Sequence, residues 1–228
     1  VYRVTVHTRF QGSYDIAVNL NRDLSGEQVS TEILWLIAAG EEREGSRLVE
    51  DFGGYWRQYD LWSEEFVAGE TIERFLRRLG RQHSEDAKRR LRDIWPFVVW
   101  NAAEAYIDFW DRTGRRYIIS DPPNANVIVP THDFQVGPRI VSVTARAACS
   151  NVAELLTKQW RGFVFSMVTS FPFLSSVAKP DLLFAALLEV VGREEGLRVL
   201  EQDIGAFPED LAESAREYCA LVRRLGFI

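Results

Sequence analysis

Hydrophobic and polar residues alternate at the start of the chain. Val4 and Val6 are separated by polar positions, and Ile16, Val18 and Leu20 repeat the pattern. A period of two places one set of side chains on one face of a pleated strand. Strands are therefore predicted at residues 1–9 and 14–21, joined at Gln11-Gly12-Ser13, where glycine favours a tight hairpin. The period then lengthens. Ser25 and Gln28 have the spacing of a capping box, and Ile33 to Ile37 supply the apolar face of a helix whose exit is bracketed by Gly40 and Gly45.

Residues 46–62 hold Asp51-Phe-Gly-Gly54 and an aromatic set, Tyr55, Trp56, Tyr59 and Trp62. A short strand and a turn follow from Trp62 to Thr71, and a helix starts within Glu70 to Arg78. A long helix is predicted over about 85–112, because Leu91, Ile94, Trp95, Val98, Val99, Ala102 and Tyr106 recur at helical spacing. Pro96 either kinks this helix or marks a helix start. Tyr117-Ile-Ile119 reads as a strand, and Val127-Ile-Val129 with Ile140-Val-Ser-Val143 as a hairpin with a long polar connection. From Ser150 to Ile228 four or five helices are predicted, broken at Phe171-Pro172, Lys179-Pro180, Gly192 and Gly205 to Pro208. There is no internal repeat. Strands with one helix, followed by a mostly helical half, make an α+β chain.

Composition narrows the functions open to it. At 228 residues and 46% hydrophobic, the chain can build one sizeable core or two lobes sharing a cleft. A net charge of -6 argues against a general binder of nucleic acid or anionic membrane, since such partners select a basic face. Cys149 and Cys219 form neither a CxxC nor a zinc spacing, so two buried thiols in a reducing, cytoplasmic setting are expected. No apolar run reaches the roughly 18 residues of a membrane span. The first residue is Val1, not Met, and the start alternates like a strand, so the chain is expected to have been cut from a longer protein whose other domains are its partners.

One segment has the character of a reaction site. Asp121-Pro-Pro-Asn-Ala-Asn126 has the spacing D-x-x-x-x-N, with a long helix and a strand before it and a strand after it. Such a loop can bring an Asp to an acceptor hydroxyl and an Asn to a metal on nucleotide phosphates. The same residues also read as an ordinary turn, with Asx capping at Asp121 and prolines fixing φ. Ser63-Glu-Glu-Phe-Val-Ala-Gly69 followed by Glu70-Thr-Ile is a strand, a linker and a helix start. With Ile16-Ala-Val-Asn19 upstream, this order resembles the protein-kinase-like superfamily, including its aminoglycoside-phosphotransferase branch. The resemblance covers most of the chain and is strongest from Trp62 to Val143.

The resemblance implies a two-lobed fold, with a small β-rich lobe at 1–62 carrying one helix and a mostly helical lobe at 63–228. It implies ATP and Mg²⁺ as ligands. Asp121 would orient or deprotonate the acceptor, and Asn126 would ligate magnesium. The backbone of the hinge-like segment, through Glu65 and Val67, would receive the adenine edge. Asn19 would stand where kinases carry the lysine of V-A-I-K, and Glu32 would be that lysine's partner.

The sequence departs from the family at several of these positions. Position 19 is Asn, so the phosphate-binding cation is missing, although Arg22 lies close by. There is no G-x-G-x-x-G. Ile119-Ser120 replaces the usual residues before the catalytic Asp, and the strand expected to carry the metal-binding Asp offers Ser142 and Thr144. His132-Asp133-Phe134 mimics Asp-Phe-Gly, but only seven residues after Asn126. The expectation is a pseudokinase-like domain with a degenerate nucleotide site, acting as a nucleotide-binding or regulatory module of a larger protein. The alternatives are an active atypical phosphotransferase on a small-molecule acceptor, and a protein-interaction domain that binds no ligand.

Other constellations are weaker. His7, His83 and His132 are scattered, and no G-x-S-x-G elbow is present. Glu104, Asp108 and Asp111 near the end of the long helix read as a solvated face or a paired-carboxylate site. Arg77-Arg78, Arg89-Arg90 and Arg115-Arg116 alternate with acids and should form surface ion pairs. Tyr55, Trp56, Tyr59 and Trp62 suit lobe packing, a ligand cleft or a partner surface. Phe163, Phe165, Phe171 and Phe173 suit a core or an interface.

Overall fold

The alternating segments at the start pair as the pattern requires. In the computed structural model, which describes residues 2–8, 12–20, 52–56, 61–65, 69–81, 84–119, 127–129, 139–140 and 146–226, strand β1 (Tyr2–Thr8) is antiparallel to β2 (Gly12–Leu20). Their register runs from Tyr2 opposite Val18 to Thr8 opposite Gly12, so the ladder starts two residues earlier on β2 than predicted. Strand β3 (Phe52–Trp56) and strand β4 (Leu61–Glu65) complete an antiparallel sheet in the order β1-β2-β4-β3. The pattern did not predict β3. Its Gly53-Gly54 interrupts the alternation, and the β3–β4 register shifts between Phe52 and Gly54, where glycine admits an irregular backbone. The helix predicted after Ser25 and the aromatic Tyr59 lie outside the described residues.

The second half begins with a two-residue strand, β5 (Glu70–Thr71), that runs directly into α1 (Ile72–Gly80). Helix α2 (Glu85–Arg112) spans 28 residues, over the predicted range. Ser84 caps it, its side chain accepting a hydrogen bond from the Ala87 N–H at 3.2 Å, and Glu85 and Asp86 suit the positive end of the helix dipole. Pro96 lies inside α2, so it does not mark a start. Twelve α2 side chains are buried, and between Ala102 and Trp110 they spread over slightly more than half of the circumference, leaving the face of Glu104, Asp108 and Asp111 only partly covered. Such a helix must be enclosed by other elements.

Those elements follow in sequence. Strands β6 (Tyr117–Ile119), β7 (Val127–Val129), β8 (Arg139–Ile140) and β9 (Arg146–Ala148) come first. Helix α3 (Val152–Gln159) continues through a π-helical turn (Trp160–Phe165) into α4 (Ser166–Ser170). Helices α5 (Asp181–Val191), α6 (Arg193–Asp203) and α7 (Glu209–Arg224) complete the description. The breaks fall where Pro172, Pro180, Gly192 and Gly205 to Pro208 predicted them. The chain is thus α+β, with a mostly helical second half.

The core sits around α2 and α5. Trp95 of α2 packs on Phe163 of the π turn with ring centres 5.4 Å apart, and Phe184 of α5 meets Phe207 and Tyr218 at 6.2 and 5.5 Å. Phe163 is buried whereas Phe165 is 60% exposed, which separates two aromatics that the sequence treated alike. Cys149 and Cys219 are buried free thiols, each pushed up to about 11, mainly by loss of solvent. No described helix is long and apolar enough to cross a membrane.

The end of α2 is locked to β9. The Trp110 indole N–H donates to the Cys149 carbonyl at 3.2 Å, and the Cys149 N–H donates to the Arg116 carbonyl at 2.8 Å. Replacing Trp110 by Phe keeps a ring but leaves that buried carbonyl without its donor. A loss of about 1–3 kcal/mol is expected, read as a lower urea midpoint with an unchanged slope.

Candidate functional site

Three short ladders determine where the segments of interest begin and end. β6 and β9 are antiparallel, with Ile119 opposite Arg146. β7 and β8 are antiparallel, with Val127 opposite Ile140. The connection 120–126 therefore leaves the Ile119–Arg146 rung and arrives at the Val127–Ile140 rung. The connection 141–145 joins the same two rungs in the opposite direction. Asp121 and Asn126 belong to the first connection, and Ser142 and Thr144 to the second. All four lie outside the described residues, so the rungs alone bound them. Asp121 is two residues from Ile119, which limits their Cα separation to about 8 Å.

The hinge-like segment is tied to the same sheet. Glu70 pairs with Val129 and Thr71 with Ile128, giving the order β5-β7-β8. Glu65 closes β4 opposite Ile16, and Glu64 lies opposite Ala17. The 66–68 stretch, which includes Val67, lies outside the described residues, but both its ends are held by ladders. Its exit is secured further by Arg78 of α1. That guanidinium donates to both Glu70 carboxylate oxygens, with Nη2 to Oε2 at 2.7 Å and Nε shared between Oε2 at 3.1 Å and Oε1 at 3.3 Å. The pairing lowers the Glu70 carboxyl and raises Arg78. Arg78 also stands 5.5 Å from the Phe75 ring centre.

Asn19 lies in β2 opposite Trp62 of β4, so the strand that resembles V-A-I-K is bonded directly to the hinge-like strand. Arg22 and Glu32 lie outside the described residues. So does Asp133, but the β7–β8 pairing makes 130–138 the far connection of that hairpin, at the end away from Val127.

Chemically, the two converging connections offer little negative charge. Across 120–126 and 141–145 the only carboxylate is Asp121. Magnesium is a hard cation that is commonly held by one or two carboxylates together with substrate phosphates. Asn126, Ser142 and Thr144 offer neutral oxygens, which is a poor set for such an ion. Among the described residues, no group of three His, Cys, Asp or Glu side chains is arranged to hold a metal.

The other charged clusters have structural work. Arg115 adopts φ 60, the left-handed region that disfavours side chains other than Gly and Asn. Its guanidinium bonds Asp111 at 2.9 Å and Glu195 of α6 at 2.6 Å, and stands 5.6 Å from the Trp110 ring centre. Arg198 joins Glu195 at 2.6 Å, and the two arginines hold the Glu195 carboxyl down to about 2. The basic pair at 115–116 was expected to make surface ion pairs. Arg115 makes two such pairs, and they tie the start of β6 to α6. Arg77 and Arg89 do make local pairs, with Glu73 and Asp86, both at 2.7 Å.

The carboxylates at the end of α2 divide. Asp108 pairs with Arg112 at 2.8 Å and Asp111 with Arg115, so neither is a solvated acid nor half of a catalytic dyad. Glu104 is half-buried, and its carboxyl is raised, chiefly by desolvation. A hydrogen bond from Trp100 opposes the rise, and Glu189 and Asp108 add to it.

No protein-family model matches the chain, and no curated protein matches its sequence. Among solved structures, a crystal structure of a kinase domain is similar over 75% of this chain and 59% of its own, at 9% identity and a TM-score of 0.47. The chain thus spans under two thirds of that kinase domain's length.

Glu104 yields a pH prediction. A carboxyl raised by folding binds more protons in the native state, so its contribution to stability falls as pH rises above the unfolded value near 4.5. Glu104→Gln keeps an acceptor for Trp100 and removes the charge. It should raise the melting temperature at pH 7 and leave it unchanged at pH 4. Equal gains at both pH values would show that desolvated charge is not the cause.

Proposed function

We propose that the chain is a kinase-like nucleotide-binding domain whose site is degenerate, and that it acts as a regulatory module of a larger cytoplasmic protein. The observation that supports this most is the shared pair of rungs. Connections 120–126 and 141–145 meet at both ends, beside the strand that leaves the hinge-like segment. A kinase-type site needs this juxtaposition, because an acceptor-orienting Asp, a metal-binding Asn and a metal-binding Asp must all surround one set of phosphates.

In this reading, backbone groups from Glu65 to Val67 take the adenine edge. Asn19 offers a neutral amide to the phosphates where a lysine would offer a charge. Arg22 is the nearest cation in sequence, and Glu32 lacks the lysine it would anchor. Asp121 orients a polar group near the terminal phosphate. Magnesium, when bound, would supply charge neutralisation next to Asn126, without a carboxylate from the 141–145 side. Phosphoryl transfer relies almost wholly on positioning and on neutralising phosphate charge. Each 1.4 kcal/mol lost from the transition state slows the reaction about tenfold. A missing lysine and a missing metal carboxylate thus favour binding over turnover.

Calorimetry with ATP and Mg²⁺ should give saturable binding without release of ADP. Steady ADP production abolished by Asp121→Asn would replace this reading with an active phosphotransferase using Asp121 as base. No heat, and no thermal stabilisation at saturating nucleotide, would leave an interaction domain, because a ligand that binds only the native state must stabilise it. Ser142→Asp supplies the absent carboxylate. It should make nucleotide affinity at least about tenfold more dependent on Mg²⁺; an unchanged dependence would place position 142 away from the phosphates.

A further inference from the structure

Helix α6 grips the β6–β9 pair at two points. Glu195, in its first turn, meets the Arg115 guanidinium at 2.6 Å, two residues before β6 begins. Asp203, its last residue, accepts the Val152 N–H at 2.7 Å, four residues after β9 ends. Both grips fall at the Tyr117–Ala148 end of the pair, and the other end is the Ile119–Arg146 rung. Asp203 lies eight residues after Glu195, which is about 12 Å along a helix axis. Two grips that far apart resist rotation of the pair as well as displacement.

The first grip is made from an unfavourable backbone. Gly114 and Arg115 adopt φ 67 and 60 in succession, a conformation that glycine suits at both positions. A larger side chain persists there when its surroundings hold it, and residues of this kind mark functional or switching segments. Here Asp111 and Glu195 hold the guanidinium, and Arg198 also bonds Glu195, at 2.6 Å. The second grip sets a carboxylate at the start of α3, where the helix dipole favours negative charge, on the backbone of the fully buried Val152. Trp110 and Cys149 bond the same end of the pair to α2. β6 and β9 have three residues each, and a pair that short does not hold its own placement. We propose that α6 is a strap that fixes the β6–β9 pair, and that Glu195 and Asp203 are thereby positioning residues for the proposed nucleotide site. The positioning role rests on that reading, since the connections 120–126 and 141–145 start from the Ile119–Arg146 rung. The strap itself does not.

Amide exchange of the ligand-free protein tests the strap, and ATP affinity tests its consequence. Glu195→Gln combined with Asp203→Ala should speed exchange at 117–119 and 146–148 at least about fivefold, with the buried middle of α2 at 95–107 unchanged. ATP with Mg²⁺ should bind at least about threefold more weakly, because a smaller fraction of molecules holds the strands in place. Using Asp203→Asn in place of Asp203→Ala keeps an acceptor for the Val152 N–H and should recover part of both effects. The Arg115–Glu195 pair is partly exposed, so folding is expected to persist without it and is checked by circular dichroism. Unchanged exchange in the two strands, or an equal rise throughout α2, would overturn the strap. An Asn variant no better than the Ala variant would remove Asp203 from it. Faster strand exchange with unchanged ATP affinity would overturn the positioning role. If the unaltered protein fails to bind ATP, the nucleotide reading falls and the positioning role with it, while exchange in the ligand-free protein still decides the strap.

Discussion

The burial of α2 governs the rest of the helical half. A helix that buries twelve side chains over more than half of its circumference must be covered from more than one side, so α5, the π turn and the β6–β9 pair close over it. Each large apolar side chain so enclosed contributes about 1.5–3 kcal/mol. Its C-terminal end has no freedom of placement. Trp110 is bonded to Cys149, Arg115 holds an unfavourable backbone conformation through two carboxylates, and β6 starts two residues later. The packing of one helix thereby sets the position of the strand that leads to Asp121.

From there, position passes along backbone ladders. β6 fixes β9, β7 fixes β8, and β5 fixes the exit of the hinge-like segment. None of these strands exceeds three residues, so each ladder alone is weak. They depend on the surrounding core for their stability, and the connections between them inherit their end points from it. End points set by backbone pairing do not depend on charged side chains in the connections. The proposed degenerate site draws on this, since the ladders set its end points without help from charge at Asn19 or Ser142.

Much of this architecture was legible in the residues. The first hairpin, the limits of α2 and the breaks among the later helices follow from period, capping and proline, because each is a local signal. Elements created by tertiary pairing were not legible. Arg146-Ala-Ala148 has no alternation and is a strand only because β6 lies beside it. Gly53-Gly54 hid β3. Nothing in Trp160 to Phe165 distinguishes a π turn from ordinary helix, yet that turn carries Phe163 onto Trp95. The candidate site was legible as a spacing, D-x-x-x-x-N, and as a set of departures from it. The meeting of 120–126 with 141–145 was not, because it depends on two ladders whose registers no local pattern encodes.

Amide hydrogen exchange with and without a non-hydrolysable ATP analogue tests the central claim most directly. If one nucleotide site is built from the converging connections, slowed exchange should appear together in 64–69, 120–126 and 141–145. Protection in none of these three segments, or in one of them without the other two, would contradict the account.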